Sequence, residues 1–419
     1  MHKKEILFVR PKTKICISKL PNLPPLGLLM LASLTNKKEY NITLIDEDTE
    51  NIDYSKHYDI VCITILTHNK QRAFKIASNF KKKQTLIIMG GSHVTLCQDD
   101  VNPHCDCIVT GCGEFVWDDL LKDYKNGRLK KIYNSKKNGF TEVKIDWSLI
   151  SKKRYLFKNM LITSRGCKNK CDFCQIPEMF GNEVKNKPIE YVVREISNFK
   201  KDGFLSKWVI FCDDNLVTNY DYALKLFEAL IPLNIKFIAQ CSIDIGKDNK
   251  LLDLAQKAGL KMIYVGIETT NQKILDKVHK PNKSSNYKTL IDKINNRGIL
   301  ITGSFIIGLP KQSNNDILSD LQFAKENTTF VLFNPMRYLP KTKLEINKSE
   351  EVYVSQTDEI PNLPSLMDRC YKEYYSLNEI MKRMLRLFKS KIGITMIFVF
   401  MYISLITHYS IIPMEDINA

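Results

Sequence analysis

Short apolar runs alternate with amphipathic stretches along most of the chain. Residues 6–9, 42–45, 60–65, 86–89 and 107–109 have the unbroken hydrophobicity of strands buried on both faces. Between them, residues 26–34, 71–80 and 115–124 repeat apolar side chains at helical spacing. This rhythm predicts a doubly wound, Rossmann-like α/β domain over residues 1–135, with its ligand crevice beyond the carboxyl ends of the strands. The polar, lysine-rich residues 136–155 read as a linker. The alternation then resumes over 156–345, where six apolar runs (160–163, 208–211, 237–240, 262–265, 301–307 and 331–333) are separated by helical segments. Six successive βα units describe a partial (β/α)6 barrel of TIM type, with its site at the carboxyl face. Residues 346–419 read as a polar linker, a helix over 371–388 and a long apolar segment.

Composition narrows the function classes. The 419 residues are 44% hydrophobic and 26% charged, as in ordinary folded proteins. The net charge of +16 comes mainly from lysines scattered along the chain. Nucleic-acid readers concentrate Arg and Lys on one element, so no nucleic-acid partner is expected. The amino terminus enters a strand pattern at once and carries no signal-peptide pattern. The expected location is therefore the cytoplasm. Twelve cysteines in such a chain indicate reduced thiols and metal chemistry.

Three of those cysteines have a spacing that carries chemistry. Cys167, Cys171 and Cys174 form C-x3-C-x2-C directly after the first strand of the second segment. Three thiolates hold three irons of a [4Fe–4S] cluster and leave the fourth open to a ligand. A structural zinc site is the alternative, but it needs a fourth ligand, which the neighbouring sequence does not offer. The other cysteines have no ligand spacing and read as small buried hydrophobes.

The strand ends of the first segment carry glycines that let a backbone approach a large ligand closely. Gly90-Gly91-Ser92-His93-Val94-Thr95 follows the fourth strand, and Gly111-Cys112-Gly113-Glu114 follows the fifth. Together with Pro24-Pro25-Leu26-Gly27, these motifs resemble the cobalamin-binding domain that precedes many radical SAM enzymes. The Asp-x-His-x-x-Gly motif that places a histidine on cobalt is missing. The resemblance implies a corrinoid held by Gly90, Gly91, His93, Thr95, Gly111, Gly113 and Glu114, with no histidine from that motif on its lower face.

The second segment resembles the radical SAM core over its full length, with Phe173 before the last cysteine of the loop. The resemblance assigns Asp213, Asp214 and Asn215, after the second strand, to the amino group of S-adenosylmethionine. It assigns Gln240, Ser242, Asp244 and Glu268 to its carboxylate and ribose, and the strand from Gly303 to Gly308 to its adenine. Each acidic position has an alternative role as a helix cap. In Leu339-Pro340-Lys341-Thr342 a lysine stands where the family ends in Pro-Gly-Thr.

The implied activity is reductive cleavage of S-adenosylmethionine at the cluster to a 5′-deoxyadenosyl radical. The implied outcome is methylation of an unactivated carbon by way of cobalamin, on a lipid-like or secondary-metabolite substrate. An external electron donor such as flavodoxin or ferredoxin would be required. Within the family, the Asp-Asp-Asn and Gly-Ile-Glu versions resemble the hopanoid-methylase group. A radical oxidoreductase or cyclase on the same scaffold, and a non-catalytic zinc- or corrinoid-binding module, are the alternatives.

Residues 392–413 contain no charged side chain apart from His408 when protonated, and follow a cluster that includes Lys382, Arg383 and Arg386. That length matches the roughly 20 residues needed to cross a bilayer. A membrane anchor is therefore expected here, against the alternative of a buried or interfacial helix.

Overall fold

Two parallel six-stranded sheets carry the chain. The computed structural model describes residues 3–13, 23–151, 155, 157–199, 206–344, 362–388 and 394–410. In the first sheet β1 (Lys4–Arg10), β2 (Tyr40–Asp46), β3 (Ile60–Thr64), β4 (Leu86–Gly90), β5 (Cys107–Thr110) and β6 (Ile132–Asn134) lie in the order β2-β1-β3-β4-β5-β6. Every pairing is parallel. The chain order reverses between β1 and β3, which opens a crevice at the carboxyl ends of the strands. β6 escaped the hydrophobic pattern because it is an edge strand of three residues with only Tyr133 buried.

In the second sheet β7 (Met160–Leu161), β10 (Trp208–Phe211), β11 (Lys236–Gln240), β12 (Leu260–Glu268), β13 (Leu300–Ile307) and β14 (Phe330–Pro335) run in sequence order, all parallel. A small antiparallel hairpin, β8 (Ser164–Arg165) with β9 (Lys185–Asn186), rises from the end of β7 and brackets the cysteine loop. The partial barrel leaves β14 as an edge with unpaired backbone groups. The helix Leu363–Tyr374 covers that edge. The Tyr371 hydroxyl donates to Phe333 O and accepts from Phe333 N, both at 2.9 Å, and Tyr375 treats Val331 in the same way. The single helix expected over 371–388 is thus two, Leu363–Tyr374 and Leu377–Phe388, because the chain breaks where Tyr375 turns to the strand.

The stretch between the sheets is docked at both ends. The backbone N–H of Asp146 donates to Ser33 Oγ of the first domain at 2.8 Å, while the Trp147 ring packs edge-on against Phe199 of the second, centroids 5.5 Å apart. Tyr155 reaches back to Asp46 Oδ2, to which its hydroxyl donates at 2.6 Å.

The membrane anchor expected over 392–413 finds no support among the described residues. Among the described residues no helix is long and apolar enough to cross a membrane. The helix there, Ile394–Ser410, has 17 residues and packs Ile397 and Phe400 against Trp208, Leu300 and Phe330, at the amino ends of the barrel strands. The face with Ile397 and Phe400 covers the foot of the barrel, Tyr402 and Leu405 are exposed, and residues 392–393 and 411–413 lie outside the described residues.

Candidate functional site

The cysteine loop is clamped on the carboxyl face of the barrel by Asp172, which lies between two of its thiols. Asp172 Oδ2 is 2.7 Å from His279 Nδ1, its Oδ1 is 3.1 Å from Lys343 Nζ, and its N–H donates to Val278 O at 3.1 Å. Cys167, Cys171 and Cys174 are free thiols on the wall of one cavity of about 390 Å³. Burial pushes Cys171 up to about 12 and Cys174 up to about 11, so a metal centre must displace their protons on binding. Among the described residues no three His, Cys, Asp or Glu side chains are grouped as ligands of a single metal ion. The donor set of three thiols facing one cavity fits an iron–sulfur cluster with one open iron.

The same cavity gathers Asp214, Asn215, Gln240, Ser242 and Glu268 from the ends of three strands. Burial raises Asp214 to about 6, while the Gly166 N–H, 3.2 Å from its Oδ2, acts in the opposite sense. Asn215 Oδ1 accepts from Ser242 N at 2.9 Å, and Gln240 Nε2 donates to Asp214 O at 3.1 Å. Those bonds tie the ends of β10 and β11 into one wall.

Four residues expected in this site face elsewhere. Asp213 is fully buried and turned into the barrel wall, where Thr163 N, Thr163 Oγ1 (2.8 Å) and Ser164 Oγ (2.6 Å) donate to it. It fixes the strand that leads into the cysteine loop. Asp244 pairs with Lys247 at 2.8 Å on the short helix Ile243–Lys247, and its N–H is capped by Ser242 Oγ. Gly303 points outward, since a Cβ there would meet Thr328 Cγ2 at 2.8 Å. Gly308 belongs to a turn in which its N–H donates to Gln312 Oε1 at 2.7 Å. Side chains alternate across a strand, so Ser304 and Ile306 face the cavity in place of Gly303. The pairing of β11 through β14 puts Tyr264, Ser304 and Asn334 on the same face as Gln240, all on the cavity wall.

Lys280 had no signal in the sequence. Its ammonium lies 2.9 Å from Glu268 Oε1 at the cavity wall. The register shifts between Gly266 and Glu268 on β12, and Glu268 adopts φ +65°, a conformation that L side chains rarely take. That bulge turns the carboxylate into the cavity.

In the first domain Gly90, Gly91, Thr95, Gly111, Gly113 and Glu114 line a crevice of about 270 Å³. Thr95 Oγ1 donates to Gly91 O at 2.9 Å and accepts from Gly111 N at 3.1 Å, so one side chain links the two glycine turns. Gly91 has φ +112°, and a Cβ would fall 2.7 Å from Ile65 O. The glycines at the strand ends let a large ligand approach the backbone closely. His93 lies outside the crevice wall and is buried, with Nε2 2.8 Å from Asp100 Oδ2 and Nδ1 3.2 Å from Thr67 Oγ1.

The far wall of the crevice comes from the second domain through Ile162, Arg165, Met179 and Phe180, which flank the cysteine loop. Arg165 Nη1 lies 2.6 Å from Glu114 Oε1 and 3.1 Å from Cys112 Sγ. A single stretch of chain, 162–180, therefore faces the crevice on one side and the thiol cavity on the other.

Comparison with known proteins adds the following. The model of the Radical SAM superfamily matches residues 161–324, and that of the B12 binding domain matches residues 14–121. The bacteriochlorophyllide d C-8(2)-methyltransferase of Chlorobaculum tepidum is 30% identical over 76% of this chain and 74% of its own length. The hopanoid C-2 methylase of Rhodopseudomonas palustris is 24% identical over 77% of this chain and 63% of its own. Among solved structures, the radical S-adenosylmethionine methyltransferase TsrM from Kitasatospora setae, with cobalamin and a [4Fe-4S] cluster bound, superposes with a TM-score of 0.66. That match covers 82% of this chain and 77% of the other at 16% identity, a likeness of fold.

Proposed function

The chain belongs to the radical SAM superfamily, as a member that carries a B12-binding domain, and we propose that it methylates an unactivated carbon of a lipid-like or secondary-metabolite substrate. Its cofactors are a [4Fe–4S] cluster, S-adenosylmethionine and cobalamin. When bound, they supply a 5′-deoxyadenosyl radical and a transferable methyl group, chemistry that no side chain offers. The observation that carries the reading is the stretch 162–180, which lines both the thiol cavity and the glycine crevice. Methyl transfer needs the substrate carbon within reach of both cofactors.

The chain's own residues orient and enclose. Cys167, Cys171 and Cys174 ligate the cluster. Asp214, Asn215, Gln240, Ser242 and Glu268 hold the polar end of S-adenosylmethionine, and Ser304 with Ile306 flanks its adenosyl part. Gly90, Gly91, Gly111 and Gly113 admit the corrin ring, with Arg165 and Glu114 closing the crevice between the domains. A reducing, cytoplasmic setting suits the thiols of Cys167, Cys171 and Cys174. An external one-electron donor such as flavodoxin or ferredoxin completes the system.

Anaerobic reconstitution tests this proposal. Brown protein with iron and sulfide, cleavage of S-adenosylmethionine under reduction, and loss of the cluster in Cys167→Ala are expected. Bound zinc without cleavage overturns it. A product heavier by one CH2 identifies methyl transfer, whereas a product without that gain moves the assignment to oxidation or ring closure.

A further inference from the structure

The interior of a TIM-type barrel is ordinarily filled by layers of branched side chains. The inner face of this partial barrel is not. A cavity of about 590 Å³ runs along Ile210, Ile238, Met262, Thr302 and Leu332, one residue from each of β10 to β14. Higher on the same inward faces, Gln240, Tyr264, Ser304 and Asn334 line the thiol cavity. Gln240 and Tyr264 line both volumes. The two are therefore stacked, with the lower one reaching to Ile403 of the helix at the foot of the barrel.

The wall chemistry defines what fits. Among the described residues no Asp, Glu, Lys, Arg or His lines the lower cavity. Gln240 already donates to Asp214 O, and Thr302 Oγ1 already donates to Met262 Sδ at 3.5 Å. A charged or strongly hydrated group would lose its solvation there without a partner. The volume lies within the roughly 300–1,000 Å³ typical of small-molecule sites.

We infer that this hollow is a chamber for the hydrocarbon body of the substrate, an isoprenoid or acyl chain, entered from the thiol cavity above it. The inference rests on the reading of the chain as a radical SAM methyltransferase. It places the reacting carbon in the upper cavity, beside Tyr264, and the apolar remainder of the molecule below. The five strand residues and Ile403 thereby become determinants of specificity.

The test uses protein loaded with cobalamin and cluster and titrated with N-phenyl-1-naphthylamine, a neutral dye that brightens in apolar surroundings. One saturable site, emptied by farnesol and unaffected by glycerol, is expected. Thr302→Phe and Leu332→Phe each put a ring into the chamber and should weaken the dye about tenfold or more, the scale of overpacking a filled core. No saturable binding, binding unchanged in both variants, or binding that vanishes on cobalamin loading overturns the chamber. In the wild-type chain, a diazirine-bearing farnesol analogue should crosslink to peptides holding Met262, Leu332 or Ile403. Leu23 and Phe157 also line the chamber, so crosslinks confined to the outer helices, or to first-domain peptides without Leu23, overturn it independently of any variant. Failure of the methyltransferase reading shows separately, as absent cleavage of S-adenosylmethionine, which neither binding readout depends on.

Discussion

Glu268 and Lys280 form a buried ion pair, 2.9 Å apart, on the wall that also holds Cys171. Burial alone would lower the Lys280 ammonium, but the charges of Glu268 and Cys171 reverse that and hold it raised. Gly266 is part of the same arrangement, since a Cβ there would press on Glu268 Oε1 and lie 3.1 Å from Lys280 Nζ. Removing one member of a buried pair strands the other charge, at a cost of about 3–5 kcal/mol. Glu268→Gln should therefore lower the unfolding free energy by about that amount in urea denaturation. A loss below about 1 kcal/mol, the worth of an exposed pair, would show that the bulge is held by something else.

Asp213 organises the cysteine loop from behind. Asp213→Ala leaves the buried donors Thr163 N, Thr163 Oγ1 and Ser164 Oγ without their acceptor. Each orphaned donor costs about 1–3 kcal/mol. Iron content per chain after reconstitution should fall together with stability. Full iron loading in this variant would assign the loop's geometry to the Asp172 clamp alone.

Gly91 and His93 separate the crevice floor from its surroundings. Gly91→Ala adds a Cβ 2.7 Å from Ile65 O at φ +112°. A left-handed backbone costs roughly 1–2 kcal/mol for an L residue, about a tenfold loss of affinity if spent on the bound state. Absorbance titration with cobalamin should show a loss of at least that size. His93→Gln, whose parent side chain bonds to Asp100 and Thr67, should bind cobalamin like the wild type. A lost corrinoid in that variant would return His93 to the site.

His68 makes the chain sensitive to mild acid. Burial, and secondarily the Arg337 guanidinium, hold its imidazole down to about 4, and its Nε2 is buried without a hydrogen-bond partner. The unfolded chain takes up that proton near pH 6.5. The contribution to stability is therefore complete above pH 6.5 and is lost as pH falls toward 4, by up to about 3 kcal/mol. Unfolding free energies measured across that window should decline less steeply in His68→Phe than in the wild type. Equal slopes would remove His68 as the cause.

The alternation of apolar runs and helical periods determined both sheets and nearly all of their strands, because buried parallel strands must be hydrophobic throughout. Cys167, Cys171 and Cys174 were legible because ligands on one loop are fixed by spacing alone. The glycines of the crevice were legible for a related reason, since a close approach at a strand end leaves a residue type behind. Strand parity was not legible: Gly303 and Ser304 are adjacent in sequence, and only the pairing of β13 with its neighbours decides which faces the cavity.

What the tertiary structure alone decided are the relationships between residues distant in sequence. Asp213 reads as one of three polar residues at a strand end, yet its four bonds to Thr163 and Ser164 make it a support of the loop. Lys280 gained a role only when a bulge brought Glu268 to it. The apolar run near the carboxyl terminus has the composition of a membrane span, because hydrocarbon and a barrel foot reward the same side chains. Packing of Phe400 against Trp208, Leu300 and Phe330 gives this run a barrel foot to cover. Composition states how much apolar surface must be covered; only the fold supplies the surface that covers it.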